Sequence, residues 1–418
     1  MKKLYETQDL PKRVFLVGIR TANMSTEEAE SLAHELYGLS RTLGLTVVAQ
    51  EQVHIRERHP QFGMGTGKAE ALAQKATDLE ADCFIFDGTL SPSQQRNWET
   101  LSGITALDRQ ELILQIFADR ARTKEAVLQV KIAELSYSLP RLRHKHLDLA
   151  RQRGGRYGAK GQGETKLETD RRLLEKQLHR LEQDLAEVRK NREVQQKQRK
   201  RRGIPTVALV GYTNAGKSSL LNALTRGQTL VADKLFATLD PTTRPLKLGN
   251  GQPALLIDTV GFIRHLPHAL VEAFRSTLEE VCQADLLIHV LDASDPEADR
   301  YAETTRSVLR DLGAEHLPVI TALNKIDRLD AAETLDALKA RYEESGSPCV
   351  LISAEQKTGT ETLIQNIEET LFAGTSWFRF PLDRYDLLSL LYRNGRVLSE
   401  TYGEKTLEVE AYLSARLQ

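Results

Sequence analysis

The chain has three cysteines in 418 residues, Cys83, Cys282 and Cys349, scattered without the spacing of a metal cluster or a disulfide framework. That scarcity fits a reducing compartment and argues against a secreted, cross-linked scaffold. No apolar run approaches the ~18 residues of a membrane span. The amino terminus, Met-Lys-Lys-Leu-Tyr-Glu, lacks the apolar core of a signal peptide. A dominant charge is missing too, since 57 basic residues face 58 acidic ones for a net charge of -1. Such a molecule is no indiscriminate polyanion binder, so any nucleic-acid surface must be local. Together these absences predict a cytoplasmic protein with no membrane span. The 40% hydrophobic content suffices for real cores, and the length predicts two to four domains.

The run Gly211-Tyr212-Thr213-Asn214-Ala215-Gly216-Lys217-Ser218 fits G-x-x-x-x-G-K-[ST]. The apolar Pro205-Thr-Val-Ala-Leu-Val210 enters it as a strand, and Ser219-Leu-Leu-Asn-Ala-Leu224 leaves it as a helix. A phosphate cradle needs that setting. The glycines let backbone N–H groups wrap a phosphate, Lys217 reaches the β/γ oxygens, and the Ser218 hydroxyl is placed for Mg²⁺. The similar Gly63-Met-Gly-Thr-Gly67-Lys68-Ala69 lacks the first glycine, with Phe62 in its place, and the hydroxyl after the lysine. It reads as a glycine turn before a helix.

Downstream motifs select the base. Asn324-Lys325-Ile326-Asp327 follows the strand-like Leu317-Pro-Val-Ile-Thr-Ala-Leu323. A carboxylate at Asp327 can accept from N1–H and the exocyclic amine of guanine, and would face the wrong groups on adenine. Asn324 braces the loop and the Lys325 stem lies over the base. Cys349-Val-Leu-Ile-Ser353-Ala354 ends another strand-like run whose backbone N–H could donate to the guanine carbonyl. Between them, Leu255-Leu-Ile-Asp258-Thr259-Val260-Gly261 ends a strand in a carboxylate. Asp258 can hold Mg²⁺ through water, and the Gly261 N–H can meet the γ-phosphate. Four motifs in this order predict a domain that binds GTP and GDP and hydrolyses GTP, with Lys217, Gly261 and Asn214 as its catalytic candidates.

The organisation predicts a multidomain α/β protein. Residues 1–110 read as an N-terminal α/β domain, with strands at Val14–Val17, Thr46–Ala49 and Cys83–Phe86 and a helix from Ser25 to Leu43, ended by Gly44. Residues 111–202 read as a helical hairpin of coiled-coil character. One stripe is Leu128, Ile132, Leu135 and Leu139, ended or kinked by Pro140. The other is Leu167, Leu174, Leu178, Leu181, Leu185 and Val188. The joint, residues 151–163, has five glycines, no acidic residue, and Arg151, Arg153, Arg156 and Lys160. Flexible backbone with positive charge suits an RNA partner or a solvated linker. Arg141, Arg143 and Lys145 extend the positive surface. Residues 203–372 read as a doubly wound P-loop GTPase domain with its ligand at the carboxyl edge of the sheet. Residues 373–418 read as a small α+β domain with a hairpin around Gly403.

With these residues in hand the chain resembles the HflX family, ribosome-associated GTPases of the Obg–HflX group. The most specific marks are Gly211 to Ser218, Phe236-Ala237-Thr238-Leu239-Asp240-Pro-Thr-Thr-Arg244, Asp258-Thr-Val-Gly-Phe-Ile-Arg264 and Gly161-Gln-Gly-Glu-Thr-Lys-Leu-Glu168. Leu90-Ser-Pro-Ser-Gln-Gln-Arg96 and Asp108-Arg109 add to them. The joint departs from the family pattern at Arg156-Tyr157 and Gln162. The resemblance implies binding to the large ribosomal subunit and splitting of stalled or idle ribosomes, often under heat stress. A monomer is expected. A GTP-dependent RNA-binding or chaperone-like regulator is the alternative. Of Thr238, Thr242 and Thr243, the family pattern selects Thr238 as the first-switch ligand to Mg²⁺. Phe262 stands where many GTPases carry a water-orienting glutamine, and a ring cannot hydrogen-bond the attacking water. In some related GTPases an asparagine at the place of Asn214 helps hold a potassium ion; here it either does so or braces the loop.

Overall fold

The structure, a computed structural model, describes residues 12–152, 160–201, 204–225, 235–236, 238–249, 253–264, 280–329, 332–344, 346–372 and 375–413. They pack as two units, one within 12–185 together with 235–236, the other formed by the rest.

In the first unit the strands Arg13–Thr21 (β1), Thr46–Ile55 (β2), Cys83–Phe86 (β3) and Thr105–Asp108 (β4) form a four-stranded sheet, all parallel, in the order β2-β1-β3-β4. Val14–Val17 and Cys83–Phe86 are 0% exposed, as strands covered on both faces must be. The helices Thr26–Thr42 (α1), Thr66–Asp78 (α2) and Pro92–Ser102 (α3) make the crossovers, and Arg109–Arg120 (α4) follows β4. Ser25 caps α1 by accepting from the Glu28 N–H, and Gly44, at φ 76°, leaves it in the left-handed region. Residues 63–67 form the expected turn into α2. At the carboxyl end of the sheet the buried Arg109 donates to Glu35 at 2.6 Å and to Asp87 at 2.9 Å, tying α1, β3 and α4 together. A cation this deep is tolerable only with both acids in place.

Helix α5 spans Lys124–Gln152 and α6 spans Lys160–Arg201. Pro140, expected to end or kink the helix, lies inside α5 and does not end it. Leu128 of the expected stripe is buried and Ile132, Leu135 and Leu139 are half-buried, while Ala126, Val130, Ala133 and Tyr137 are buried beside them. One expectation needs correction. Arg141 is half-buried, its guanidinium 3.4 Å from the centroid of Tyr137 and donating to Gln95, to the Leu90 carbonyl and to Asp108, so its charge is paired within the fold and is not part of an open positive surface. On α6, Leu174 and Leu185 are buried with Leu178, Leu181 and Val188 half-buried beside them, while Leu173 off the stripe is 52% exposed. The glycine-rich joint is shorter than expected, because α5 reaches Gln152 and α6 already includes Gly161 and Gly163.

In the second unit the strands Thr206–Val210 (β5), Thr242–Lys247 (β6), Pro253–Asp258 (β7), Leu286–Asp292 (β8), Val319–Asn324 (β9) and Cys349–Leu351 (β10) form a six-stranded sheet in the order β10-β9-β8-β5-β7-β6. Every pairing is parallel except that of β6, an antiparallel edge strand. The helices Lys217–Leu224 (α7), Ala298–Asp311 (α8), Ala332–Glu343 (α9) and Thr360–Phe372 (α10) accompany it. One core gathers Val207, Leu209, Leu256, Ile288, Val290 and Ile320 with Leu220 and Leu221 of α7 and Leu363 and Ile367 of α10. Burying each such side chain stabilises by about 1.5–3 kcal/mol before ordering costs. The chain leaves β5 for β6 and β7 on one side and later fills β8 on the other. The carboxyl end of β5 is therefore the topological switch point, where open α/β sheets bind ligands.

The last described segment has strands Thr375–Pro381 (β11), Gly395–Tyr402 (β12) and Thr406–Leu413 (β13) in the antiparallel order β11-β13-β12, with helix Tyr385–Asn394 (α11). Phe380, Leu391, Leu407, Val409 and Ala411 are its small core. The chain thus has the multidomain α/β architecture expected from its sequence.

Candidate functional site

The loop 211–216 leaves β5 at the switch point and enters α7 through Gly216. Two of its glycines are forced by geometry. Gly211, at φ 146°, passes so close to β8 that a Cβ would sit 2.3 Å from the Val290 carbonyl oxygen. Gly216, at φ 94°, leaves no room beside Asn324, whose Nδ2 would be 2.2 Å from a Cβ. Lys217 lies back across the loop, its Nζ donating to the Gly211 and Tyr212 carbonyls at 3.0 and 2.7 Å. Burial pushes this ammonium down to about 8 despite the opposing pull of Asp258. Burial likewise raises the Asp258 carboxyl, against Lys217 and hydrogen bonds from Ser218 and Thr238. A buried cation and carboxylate both unfavourable in their charged forms are complementary to a pair of further charges, a phosphate beside Lys217 and a metal ion beside Asp258.

Three oxygens converge next to that lysine. Ser218 Oγ is 2.7 Å from Thr238 Oγ1 and 2.6 Å from Asp258 Oδ2, and Thr238 donates to the same carboxylate oxygen at 3.0 Å. Adjacent ligands of an octahedral Mg²⁺ at ~2.05 Å lie about 2.9 Å apart, so the spacing of the Ser218 and Thr238 hydroxyls fits two direct ligands, with the Asp258 carboxylate beside them to hold a water of the ion. The other carboxylate oxygen, Asp258 Oδ1, is buried without a hydrogen-bond partner, as is Thr213 Oγ1. Such atoms are costly unless a ligand or ordered water meets them. Thr242 and Thr243, the other first-switch candidates, begin strand β6.

Asn324 performs the bracing role. Its amide donates to the Ala215 carbonyl at 2.9 Å and its carbonyl accepts from the Ala354 N–H at 3.0 Å, joining the phosphate loop to the segment after β10. Lys325, at φ 64°, donates to the Asn214 carbonyl at 2.9 Å and pairs with Asp292 at 2.6 Å. Ile326 and Asp327 lie in a short 3-10 turn with the Asp327 carboxylate exposed. Ser353 is fully buried, exchanging backbone bonds with Thr358. One candidate site thus brings together Gly211 to Ser218, Thr238, Asp258, Gly261, Asn324 to Asp327, Ser353 and Ala354. Asn214 is exposed on the loop at φ 61°.

Other nominated residues play supporting parts. The Thr259 hydroxyl donates to the Leu209 carbonyl at 2.6 Å, and Val260 is buried. Leu239 is 2% exposed and Asp240 half-buried. Phe236 packs with the first unit, its ring edge-on to Phe117 at a centroid distance of 4.7 Å. Ala237 lies outside the described residues, as do Arg153, Arg156 and the side chains of Arg151 and Lys160. Sequence reading missed Asp292, which orients Lys325; the signal was the unread apolar run Leu286–Leu291 ending in that carboxylate. It also missed Tyr301 and Arg264, which pack around Tyr212.

Among the described residues no cluster of histidines, cysteines and acids could hold another metal, and no helix is long and apolar enough to cross a membrane. Residues 30–118 match a family model described as GTP-binding GTPase N-terminal, and residues 120–199 one described as GTP-binding GTPase Middle Region. Residues 206–325 match one described as 50S ribosome-binding GTPase. A protein named GTPase HflX from Akkermansia muciniphila is 43% identical over 427 residues, covering 99% of this chain and 97% of its own length. The protein of that name from Escherichia coli K12 is 42% identical over 352 residues, 84% of this chain and 80% of that one. Among solved structures, a complex of a protein called SsGBP with GDP superposes with a TM-score of 0.50 at 27% identity, over 86% of this chain and 98% of that one. A phosphate loop with its lysine buried, a guanine-type base loop braced to it, and relatives alike over nearly the whole length lead to one assignment: the chain belongs to the HflX family of GTPases, which hydrolyse GTP to GDP and phosphate.

Proposed function

We propose that this GTPase engages the large ribosomal subunit in its GTP-bound state and separates stalled or idle ribosomes, heat stress being one occasion, and that it acts as a monomer in the cytoplasm. The observation that carries the reading is the meeting of Thr238 with Ser218 and Asp258, since an ion and γ-phosphate bound there would tie the first switch to the phosphate loop. The match of residues 206–325 to a ribosome-binding GTPase model supports the choice of partner.

Within the site, Ser218 and Thr238 would hold Mg²⁺ directly and Asp258 through water. Bound there, the ion would supply positive charge against the phosphate oxygens. Lys217 neutralises the β- and γ-oxygens, and the Gly261 N–H donates to the γ-phosphate. Asp327 reads guanine, with Lys325 over the base and a backbone N–H near Ala354 toward its carbonyl. Phe262 is 2% exposed and offers the attacking water nothing, so free protein turns over slowly. The ribosome and a potassium ion at Asn214 are the two sources of the missing group and do not exclude each other, and GTP turnover in potassium against sodium at equal ionic strength, with and without ribosomes, reads each. Equal rates for free protein in both salts, unchanged by Asn214→Ala, would leave the ribosome as activator.

The basic joint is the proposed RNA contact. Changing Arg151, Arg153, Arg156 and Lys160 together to Ala should weaken ribosome binding and flatten its salt dependence, because each phosphate contact releases counterion. The test of the whole reading is sedimentation with large subunits in a GTP analogue or GDP, followed by light scattering of intact ribosomes. Analogue-dependent co-sedimentation and a fall in scattering are expected. Binding to free RNA without subunit binding would favour a GTP-timed RNA regulator instead.

A further inference from the structure

Among the described residues the second switch is fastened to the phosphate loop at three points. The Thr213 N–H donates to the Phe262 carbonyl at 2.8 Å, the Phe262 N–H donates to the Gly211 carbonyl at 3.1 Å, and the Arg264 N–H donates to the Tyr212 hydroxyl at 2.9 Å. The first two form an isolated parallel bridge of backbone atoms. The third depends on a side chain, and that side chain is held in turn. The Tyr212 ring, 4% exposed, stacks on Tyr301 of α8 with centroids 3.9 Å apart and planes 13° from parallel. The Arg264 guanidinium lies 5.6 Å from the Tyr301 centroid and 3.7 Å from Glu297, which also accepts from Arg300. A residue of the phosphate loop, a residue past the second switch and one turn of α8 thus share a single aromatic and charged stack.

We infer that Tyr212 and Tyr301 are positioning residues for GTP hydrolysis, setting the second switch so that Gly261 presents its N–H to the γ-phosphate. The fit there is tight, since a Cβ on Gly261 would lie 2.8 Å from Thr213 Cα and 2.9 Å from Lys217 Nζ. A small slide of the switch along the loop would carry the Gly261 N–H away from the lysine that meets the same phosphate. Two of the three fastenings are backbone bonds and tolerate a hinge. The tyrosine hydroxyl, aimed by the stack on Tyr301, is the one that fixes the far end of the segment. Neither ring needs to touch nucleotide for this, and neither supplies a proton. The stack also joins α8 to the loop, so a partner that presses on α8 would reach the switch through it.

The inference rests on the role given to Gly261, and the experiment keeps the two separable. Steady-state GTP turnover and GDP affinity are measured on full-length Tyr212→Phe, Tyr301→Ala, Tyr301→Phe and Gly261→Ala proteins. Tyr212→Phe keeps the ring and loses the acceptor, so kcat should fall about fivefold while GDP affinity stays within about twofold of wild type. Tyr301→Ala should lower kcat by about tenfold, and Tyr301→Phe should restore it, because the ring and not its hydroxyl makes the stack. Wild-type kcat in both Tyr212→Phe and Tyr301→Ala, with Gly261→Ala inactive, would overturn the positioning role and leave the Gly261 assignment standing. Equal losses of kcat and GDP affinity in Tyr301→Ala that Tyr301→Phe fails to rescue would also overturn it, as plain loss of packing. Normal turnover by Gly261→Ala would remove the group that the tyrosines are said to position.

Discussion

The four-stranded and six-stranded sheets of this chain each deliver a glycine-rich loop from the carboxyl end of a parallel strand into a helix carrying a lysine at or near its start, at 63–68 and at 211–217. In the first, Lys68 is exposed and donates to the His54 carbonyl at 2.8 Å, Gly65 and Gly67 have no atom within 4 Å of a Cβ position, and Ala69 follows the lysine. In the second, the loop is pressed between β8 and Asn324, the lysine is buried, and the next residue is a hydroxyl bonded to a carboxylate. Glycine alone makes a turn. A nucleotide seat needs a close-packed backbone and a lysine held out of water, whose burial the ligand's charge helps to offset.

That contrast is sharpest at the lysines. Lys217→Ala should cut GTP turnover by about 10²–10³-fold, the usual loss for one electrostatic contact to a reacting group, while Lys68→Ala leaves it unchanged. The glycines should diverge next. Gly216→Ala meets Asn324 at a left-handed φ and should cost about 3 kcal/mol in nucleotide affinity, whereas Gly67→Ala near the start of α2 should raise thermal stability by about 0.4–1 kcal/mol. Equal effects in the two loops would break the comparison. A third step tests the base reader, which only the second sheet carries. Asp327→Asn should weaken GTP binding by about 1–3 kcal/mol and gain affinity for XTP, as competition titrations can read.

The smallest expected effect is a pair of opposed pH dependences. Burial, with Arg306 and Lys217 adding to it, lowers His289 on β8 from 6.5 to about 3. The unfolded chain then takes up a proton the folded one refuses, so this contribution is fully present above pH 6.5 and is lost as pH falls toward 3. Burial and the neighbouring Asp108 raise Glu111 on α4 from 4.5 to about 7, against Arg141 and Tyr137. Its contribution is present below pH 4.5 and lost as pH rises through 7. Thermal unfolding from pH 4 to 7.5 should show His289→Leu flattening the acid side and Glu111→Gln flattening the neutral side. The reverse assignment would contradict both.

Much of this was legible because the features are local. Val14–Val17, Cys83–Phe86 and Thr206–Val210 are apolar runs that can only be covered strands, and Gly211 to Ser218 carries its chemistry in contiguous residues. What escaped depends on distance along the chain. Strand β6, Thr-Thr-Arg-Pro-Leu-Lys, has an edge strand's polar composition and exists by pairing with β7. Arg141 looked like one more surface cation, and only the fold brings it within reach of Asp108, 33 residues away. Tyr301 was unremarkable in sequence because its partner Tyr212 belongs to another element. Pro140 allows either an end or a kink by its local chemistry, and only the run of α5 past it shows that the helix does not end there.

The central claim is that the chain has one nucleotide seat and that it is the loop 211–218. Isothermal titration of the full-length protein with GDP in Mg²⁺ tests it most directly. One equivalent of GDP per chain, lost in Lys217→Ala and kept in Lys68→Ala, is the predicted result. Two equivalents, or binding that survives Lys217→Ala and disappears in Lys68→Ala, would contradict it.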